Sequence, residues 1–159
     1  MKAPAAIEIA RAETADRAVV LDLVEHLLAE LEEKPEEFAG LARTRILADL
    51  AAAGDRFAAF LARADGQDVG VLTLTEHVAI YAGGRYGVID ELYVAPEHRS
   101  AGVGARLIEA AKTHGAARGW RRLDVTAPPG AAWERSVRFY ERLGFVFTGP
   151  KLRLDLPGI

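Results

Sequence analysis

The stretch Ile89-Asp90-Glu91-Leu92-Tyr93-Val94-Ala95-Pro96-Glu97-His98-Arg99-Ser100-Ala101-Gly102-Val103-Gly104-Ala105-Arg106-Leu107 decides the fold. A β-type run is stopped by Pro96, a short polar segment follows, and two glycines open a helical pattern. The first N–H groups of a helix have no partner within it and carry the positive end of its dipole, so they suit an anion. Glycine at 102 and 104 lets that backbone come close to a bulky phosphate. The simplest reading is a strand that delivers a ligand's arm to a helix N-terminus, where its phosphates are gripped. Two other phosphate motifs fit worse. A dinucleotide fingerprint would need glycine where Leu107 stands, and a Walker loop needs Gly-Lys-Ser/Thr, which does not occur.

The segment Arg99-Ser100-Ala101-Gly102-Val103-Gly104 resembles the R/Q-x-x-G-x-G/A motif of the GCN5-related N-acetyltransferases (GNAT). Leu92-Tyr93-Val94-Ala95-Pro96-Glu97 is similar to that family's fourth strand and its exit. Arg138-Phe139-Tyr140-Glu141-Arg142-Leu143-Gly144-Phe145 is similar to its last helix and the turn after it. The three segments occur in the family's order and span roughly the C-terminal half of the chain.

The resemblance implies an acetyl-CoA-dependent N-acetyltransferase. The pantetheine arm would lie along Leu92, Tyr93 and Val94. The pyrophosphate would meet the backbone N–H groups of Arg99, Ser100, Ala101, Gly102, Val103, Gly104 and Ala105, with the Arg99 side chain nearby. Ser100 and Ala101 stand where glycine or a small basic residue is more usual, a mild departure because only the amide is needed. Tyr140 matches the family tyrosine that donates a proton to the CoA sulfur, and a phenol with a pKa of ~10 is protonated at neutral pH. A carboxylate at or near Asp90 would accept the amine proton. Asp90 and Glu91 are adjacent on one strand and are expected to point to opposite faces, so only one would face the acceptor. Asp90 is preferred, with Asp124 a third candidate and a water relay an alternative to a dedicated base. Many members carry asparagine seven residues before the tyrosine, where this chain has Trp133.

Composition agrees with this class and excludes others. The chain of 159 residues is read as one domain, residues 1–159, since no linker or second composition regime appears. A net charge of −3 argues against a general nucleic-acid binder and is compatible with a cationic amine. Cysteine is absent, which removes disulfides, thiolate metal sites and a cysteine nucleophile, and no metal is expected. The start of the sequence has no signal-peptide pattern and no apolar run approaches the ~20 residues of a membrane span, so a cytoplasmic protein without a membrane partner is expected. A homodimer is compatible with the fold. A sensor that binds acyl-CoA without turnover, or a transferase using another acyl group, is the alternative function.

Periodicity fills in the rest. Ala6–Arg11 reads as a first strand. Thr14 caps a helix carrying Val20, Leu23, Val24, Leu27, Leu28 and Leu31, with Glu30, Glu32 and Glu33 as solvated charge. Pro35 opens a second helix through Phe38, Leu41, Ala42, Ile46 and Leu50 to Gly54. Strands are expected over Arg56–Arg63, Asp68–Val78, Gly87–Val94 and Leu123–Thr126, with Asp65-Gly66 turning the first hairpin. Tyr81 and Tyr86 flank the next loop, which reads as a plain hairpin connection, with a border to an acceptor amine as the alternative. The glycine-opened helix ends at Gly119, and Arg118, Arg121 and Arg122 around that end read as solvated charge, with a nucleotide phosphate as their alternative partner. His26, His77 and His114 read as packing or surface residues. A last helix, Ala131–Leu143, precedes closing strands at Phe145–Phe147 and Leu152–Leu156. The expected fold is α/β (α+β): a mixed, mostly antiparallel twisted sheet of six to seven strands with about four flanking helices.

Overall fold

The computed structural model describes residues 5–31, 41–127, 130 and 133–157. Two units are resolved, Met1–Asp124 and Val125–Ile159. Among the described residues one sheet holds five strands in the order β1 (Ile7–Arg11), β2 (Phe57–Ala64), β3 (Gln67–Ala79), β4 (Gly84–Val94) and β5 (Leu123–Val125). The first four pair antiparallel. The Arg121 amide donates to the Arg85 carbonyl (3.3 Å) and the Gly87 amide to the Arg122 carbonyl (3.1 Å), so residue numbers rise together and β5 runs parallel to β4. The sheet is therefore mixed, as expected.

Local chemistry sets the hairpins. Asp65 and Gly66 both take positive φ, 51° and 80°, which is the two-residue turn that matches strand twist. Gly70 lies in close packing: an added Cβ would be 3.1 Å from the Tyr93 carbonyl and 3.3 Å from the Ala62 methyl, so those neighbours would have to give way slightly. The pairing is irregular beside it, and Val69 is the extra residue between the pairs Ala62↔Gly70 and Arg63↔Asp68.

Helix α1 (Arg17–Glu30) covers one face of the sheet. Val20, Leu23 and Val24 pack there against Ala59, Leu61, Val71 and Tyr93. Helix α3 (Val103–Ala117) covers the other face, with Leu107, Ile108 and Ala111 buried beneath it. The helix start before α1 differs from expectation. Thr14 does not cap it; a 3-10 turn spans Thr14–Asp16, and the Glu13 amide donates to the Asp16 carboxylate at 2.8 Å. Helix α2 runs Leu41–Ala53 and stops where Gly54 turns to φ 59°. The expected positions Pro35 and Phe38 lie outside the described residues.

Trp120 joins the α3 face to the sheet. Its indole N–H donates to the Glu76 carboxylate at 2.6 Å, and Arg118 donates to the same carboxylate at 2.5 and 3.1 Å. Arg118 also lies 3.6 Å from Asp55. Arg118 is thus an internal tie rather than solvated charge. Its guanidinium, with the Trp120 N–H, holds the buried Glu76 carboxyl down at about 2. Because the folded value is depressed, the stabilisation is complete above the ordinary carboxylate range and is lost as pH falls toward about 2. Glu76→Gln is expected to cost about 2–4 kcal/mol at pH 7 and to flatten the fall in stability between pH 5 and 2.5, read by urea unfolding. His114 packs edge-on against both Phe60 and Trp120, and its Nε2 is buried without a hydrogen-bond partner among the described residues.

The second unit contains α4, Glu134–Arg142, shorter than the expected 131–143; residues 131–132 lie outside the described set. Gly144 at φ 94° ends it, and its amide donates to the Glu141 carbonyl. The expected closing strands do not appear among the described residues. Val146, Phe147, Leu152, Leu154 and Leu156 are exposed, and alternation alone supplies a period but not a pairing partner. No described helix is long and apolar enough to cross a membrane.

Candidate active site

The expected strand-to-helix junction is present. β4 ends at Val94, Pro96–His98 form a 3-10 turn, and α3 begins at Val103. Two residues between them are left-handed, Ser100 at φ 67° and Gly102 at φ 79°. Gly102 is the residue before the helix, and its carbonyl accepts the first helical bond, from the Arg106 amide at 3.1 Å. The amides of Gly102, Val103, Gly104 and Ala105 precede that bond and have no acceptor within the helix. Gly102 is needed because a side chain in this conformation is strained. Ser100 carries that strain, so Ser100→Gly is expected to leave stability unchanged or raise it by up to about 1 kcal/mol, measured by thermal unfolding.

Among the described residues β5 has 3 residues against 11 in β4 and meets β4 near its start, so Leu92, Tyr93 and Val94 outrun it. The Tyr93 side chain is a core residue under α1.

The two carboxylates are arranged differently from the sequence expectation. β3 and β4 pair as Thr73↔Glu91 and then Leu74↔Ile89, which leaves Asp90 as the extra residue of a β-bulge. The Thr73 hydroxyl donates to the Glu91 carboxylate, and the Thr75 hydroxyl donates to the Asp90 carboxylate at 2.5 Å. Thr73 and Thr75 are two apart on one strand and share a face. Asp90 and Glu91 therefore reach the same face, the one that also bears α1, and not opposite faces. The bulge breaks the alternation that the prediction assumed. Asp90 is exposed and Glu91 is partly covered.

Asp124, the third carboxylate considered, is bound to Arg122 at 2.8 and 2.7 Å. The Arg122 guanidinium lies 5.0 and 5.6 Å from the ring centres of Tyr81 and Tyr86, whose hydroxyls are 3.1 Å apart. Arg122 is therefore part of a cation–aromatic cluster, not loose charge. His77 packs on Tyr86 and His26 on Tyr93, as packing residues.

Arg99 does not extend from the junction. Its Nε donates to the Val94 carbonyl at 2.7 Å and its Nη2 to both Glu30 oxygens at 2.7 and 2.9 Å. Glu30, expected as solvated charge, is thus a specific partner, and no local sequence signal pointed to it.

Tyr140 belongs to the second unit and is described within it. It sits in the last turn region of α4, with Phe139 and Phe145 ring centres 5.2 and 5.5 Å away. Burial pushes its phenol up to about 12, so it is protonated at physiological pH. Trp133 occupies the residue before α4. Among the described residues no group of three or more His, Asp or Glu side chains could hold a metal ion.

The family model described as acetyltransferase (GNAT) domain matches residues 55–147. No curated protein matches the chain. Among solved structures, an aminoglycoside acetyltransferase from an uncultured soil metagenomic sample is similar at 25% identity, with 96% of this chain and 99% of that one covered and a TM-score of 0.78. An acetyltransferase of Trypanosoma brucei is 26% identical, covering 95% and 100% of the two chains with a TM-score of 0.72. A ribosomal-protein-alanine N-acetyltransferase from Brucella melitensis biovar Abortus 2308, 22% identical, shares the fold over 96% and 100% with a TM-score of 0.72. The matched residues contain the bulged strand, the glycine turn and Tyr140, and the chain belongs to the GNAT family of N-acetyltransferases.

Proposed function

We propose that the whole chain works as one acetyltransferase domain that moves an acetyl group from acetyl-CoA to a primary amine by direct attack in a ternary complex. The observation that carries this reading is the Arg99–Gly104 turn. Its left-handed residues bring the opening amides of α3 together directly after the uncovered end of β4. Those amides, at the positive end of the helix dipole, fit a pyrophosphate. The backbone of Leu92, Tyr93 and Val94 fits an extended amide-bearing arm, as an added strand would. Acetyl-CoA supplies an activated thioester.

The chain's own residues then handle protons. Asp90 accepts the proton of the attacking amine, favoured over Glu91 by its exposure at the bulge, with Glu91 beside it on the same face. Asp124 is less suited because its carboxylate is already engaged by Arg122. Tyr140 gives its proton to the departing thiolate. The absence of cysteine supports direct transfer over an acyl-thiol enzyme intermediate. A small-molecule amine is favoured over a peptide amine, in line with the neighbour at 25% identity that is named as an aminoglycoside acetyltransferase.

Calorimetric titration with acetyl-CoA, CoA and longer acyl-CoAs tests the reading. One-to-one binding is expected, weakened about tenfold or more by Gly102→Val, whose side chain is strained at φ 79°. Thiol release with an amine panel would follow. Binding without thiol release would favour an acyl-CoA sensor, and no binding to any CoA species would overturn the proposal.

A further inference from the structure

Glu30 is the last residue of α1, where a carboxylate faces the negative end of the helix dipole. That placement is unfavourable unless a cation answers it. Arg99, 69 residues later, supplies one through the paired contacts of Nη2 to both carboxylate oxygens. The same guanidinium is held by the Val94 carbonyl and lies 5.6 Å from the Tyr93 ring centre, and Tyr93 in turn packs on His26 of α1. The chain from Glu30 through Arg99 to Tyr93 and His26 fastens the end of β4, and the turn that follows it, to the last turns of α1.

The direction of the Arg99 side chain matters. It folds back over Tyr93, on the α1 face of the sheet. The amides of Gly102 to Ala105 open α3, which packs on the opposite face. The guanidinium is therefore turned away from the helix start that would receive phosphate. We infer that Glu30 is a positioning residue for the cofactor turn: through Arg99 it anchors the Arg99–Gly104 turn to α1, and Arg99 acts as a strut rather than as a phosphate ligand. This rests on the acetyl-CoA reading above and deepens it.

The two roles of Arg99 predict opposite signs for Glu30→Gln. A phosphate ligand restrained by Glu30 would be released, and acetyl-CoA would bind more tightly. A strut would be lost, and binding would weaken. We expect Glu30→Gln and Arg99→Gln each to weaken acetyl-CoA binding by about three- to tenfold in the full chain, the scale of a partly exposed bidentate pair. KM for acetyl-CoA should rise with kcat unchanged. The double variant Glu30→Gln with Arg99→Gln should bind no more weakly than Arg99→Gln alone, to within about twofold, because Glu30 acts through Arg99 and the two losses are not additive. Melting temperatures of all four proteins show that each variant is folded.

Tighter or unchanged binding by Glu30→Gln would overturn the inference. So would a double variant whose loss of binding is the product of the two single losses. A wild-type protein that binds no acyl-CoA would overturn the functional reading itself. A wild type that binds, with Glu30→Gln indistinguishable from it, would overturn the positioning role alone.

Discussion

Gly87→Ala is expected to destabilise the protein by at least about 3 kcal/mol and to sharply reduce its soluble yield. A Cβ at Gly87 would lie 2.1, 2.4 and 2.9 Å from Cζ3, Cε3 and Cη2 of Trp120, inside any real carbon contact. The indole has nowhere to go. On α3, a Cβ at Gly115 would already be 2.7 Å from Trp120 Cε3, so the ring lies against two glycines at once. Its N–H is bound to Glu76 at 2.6 Å, and His114 meets it edge-on at 5.4 Å between ring centres. Moving the ring breaks the Glu76 contact, and leaving it in place forces β4 outward from α3. Urea unfolding of the variant checks the value. A midpoint within experimental error of wild type would sink the idea. The coupling is also measurable: the cost of Gly87→Ala should be far smaller in a Trp120→Leu background, since the clash is with the ring.

In the proposed mechanism Tyr140 is the general acid, so Tyr140→Phe is expected to lower kcat by about 100-fold or more while leaving acetyl-CoA affinity within about twofold. The apolar surroundings that raise the phenol to about 12 favour its neutral form. The acid therefore stays protonated across the working range, and kcat should show no alkaline fall from this group below about pH 11. Single-turnover thiol release from pre-bound acetyl-CoA and amine separates chemistry from binding. An undiminished kcat would assign Tyr140 to packing with Phe139 and Phe145. A fall in affinity equal to the fall in kcat/KM would assign it to binding.

Much of the site's frame was legible in the chain because its signals are local. The α3 start at Val103 follows from a glycine with positive φ one residue earlier, and the β2–β3 hairpin follows from Asp65-Gly66. Both are steric statements about one or two residues. The last strands were over-read. Leu152–Leu156 alternates and Phe145–Phe147 is a short apolar run, yet neither pattern can say whether a neighbour will accept the backbone hydrogen bonds. The charged residues were under-read. Arg118, Arg122 and Glu30 looked like solvated charge, and each has a defined partner.

The sequence by itself determined the family motif, the turn chemistry and the helix that opens on free amides, since these depend on sterics and periodicity within a few residues. Tertiary structure alone decided the face and partners of the charged groups. A one-residue bulge at Asp90 shifts the β3–β4 register and puts two adjacent carboxylates on the same face, against the strand rule. Arg99 meets a helix end 69 residues away, and Trp120 finds its seat only where β4 and α3 both present glycine. Such choices turn on a single register step or a long-range meeting of elements, and neither leaves a mark in local composition.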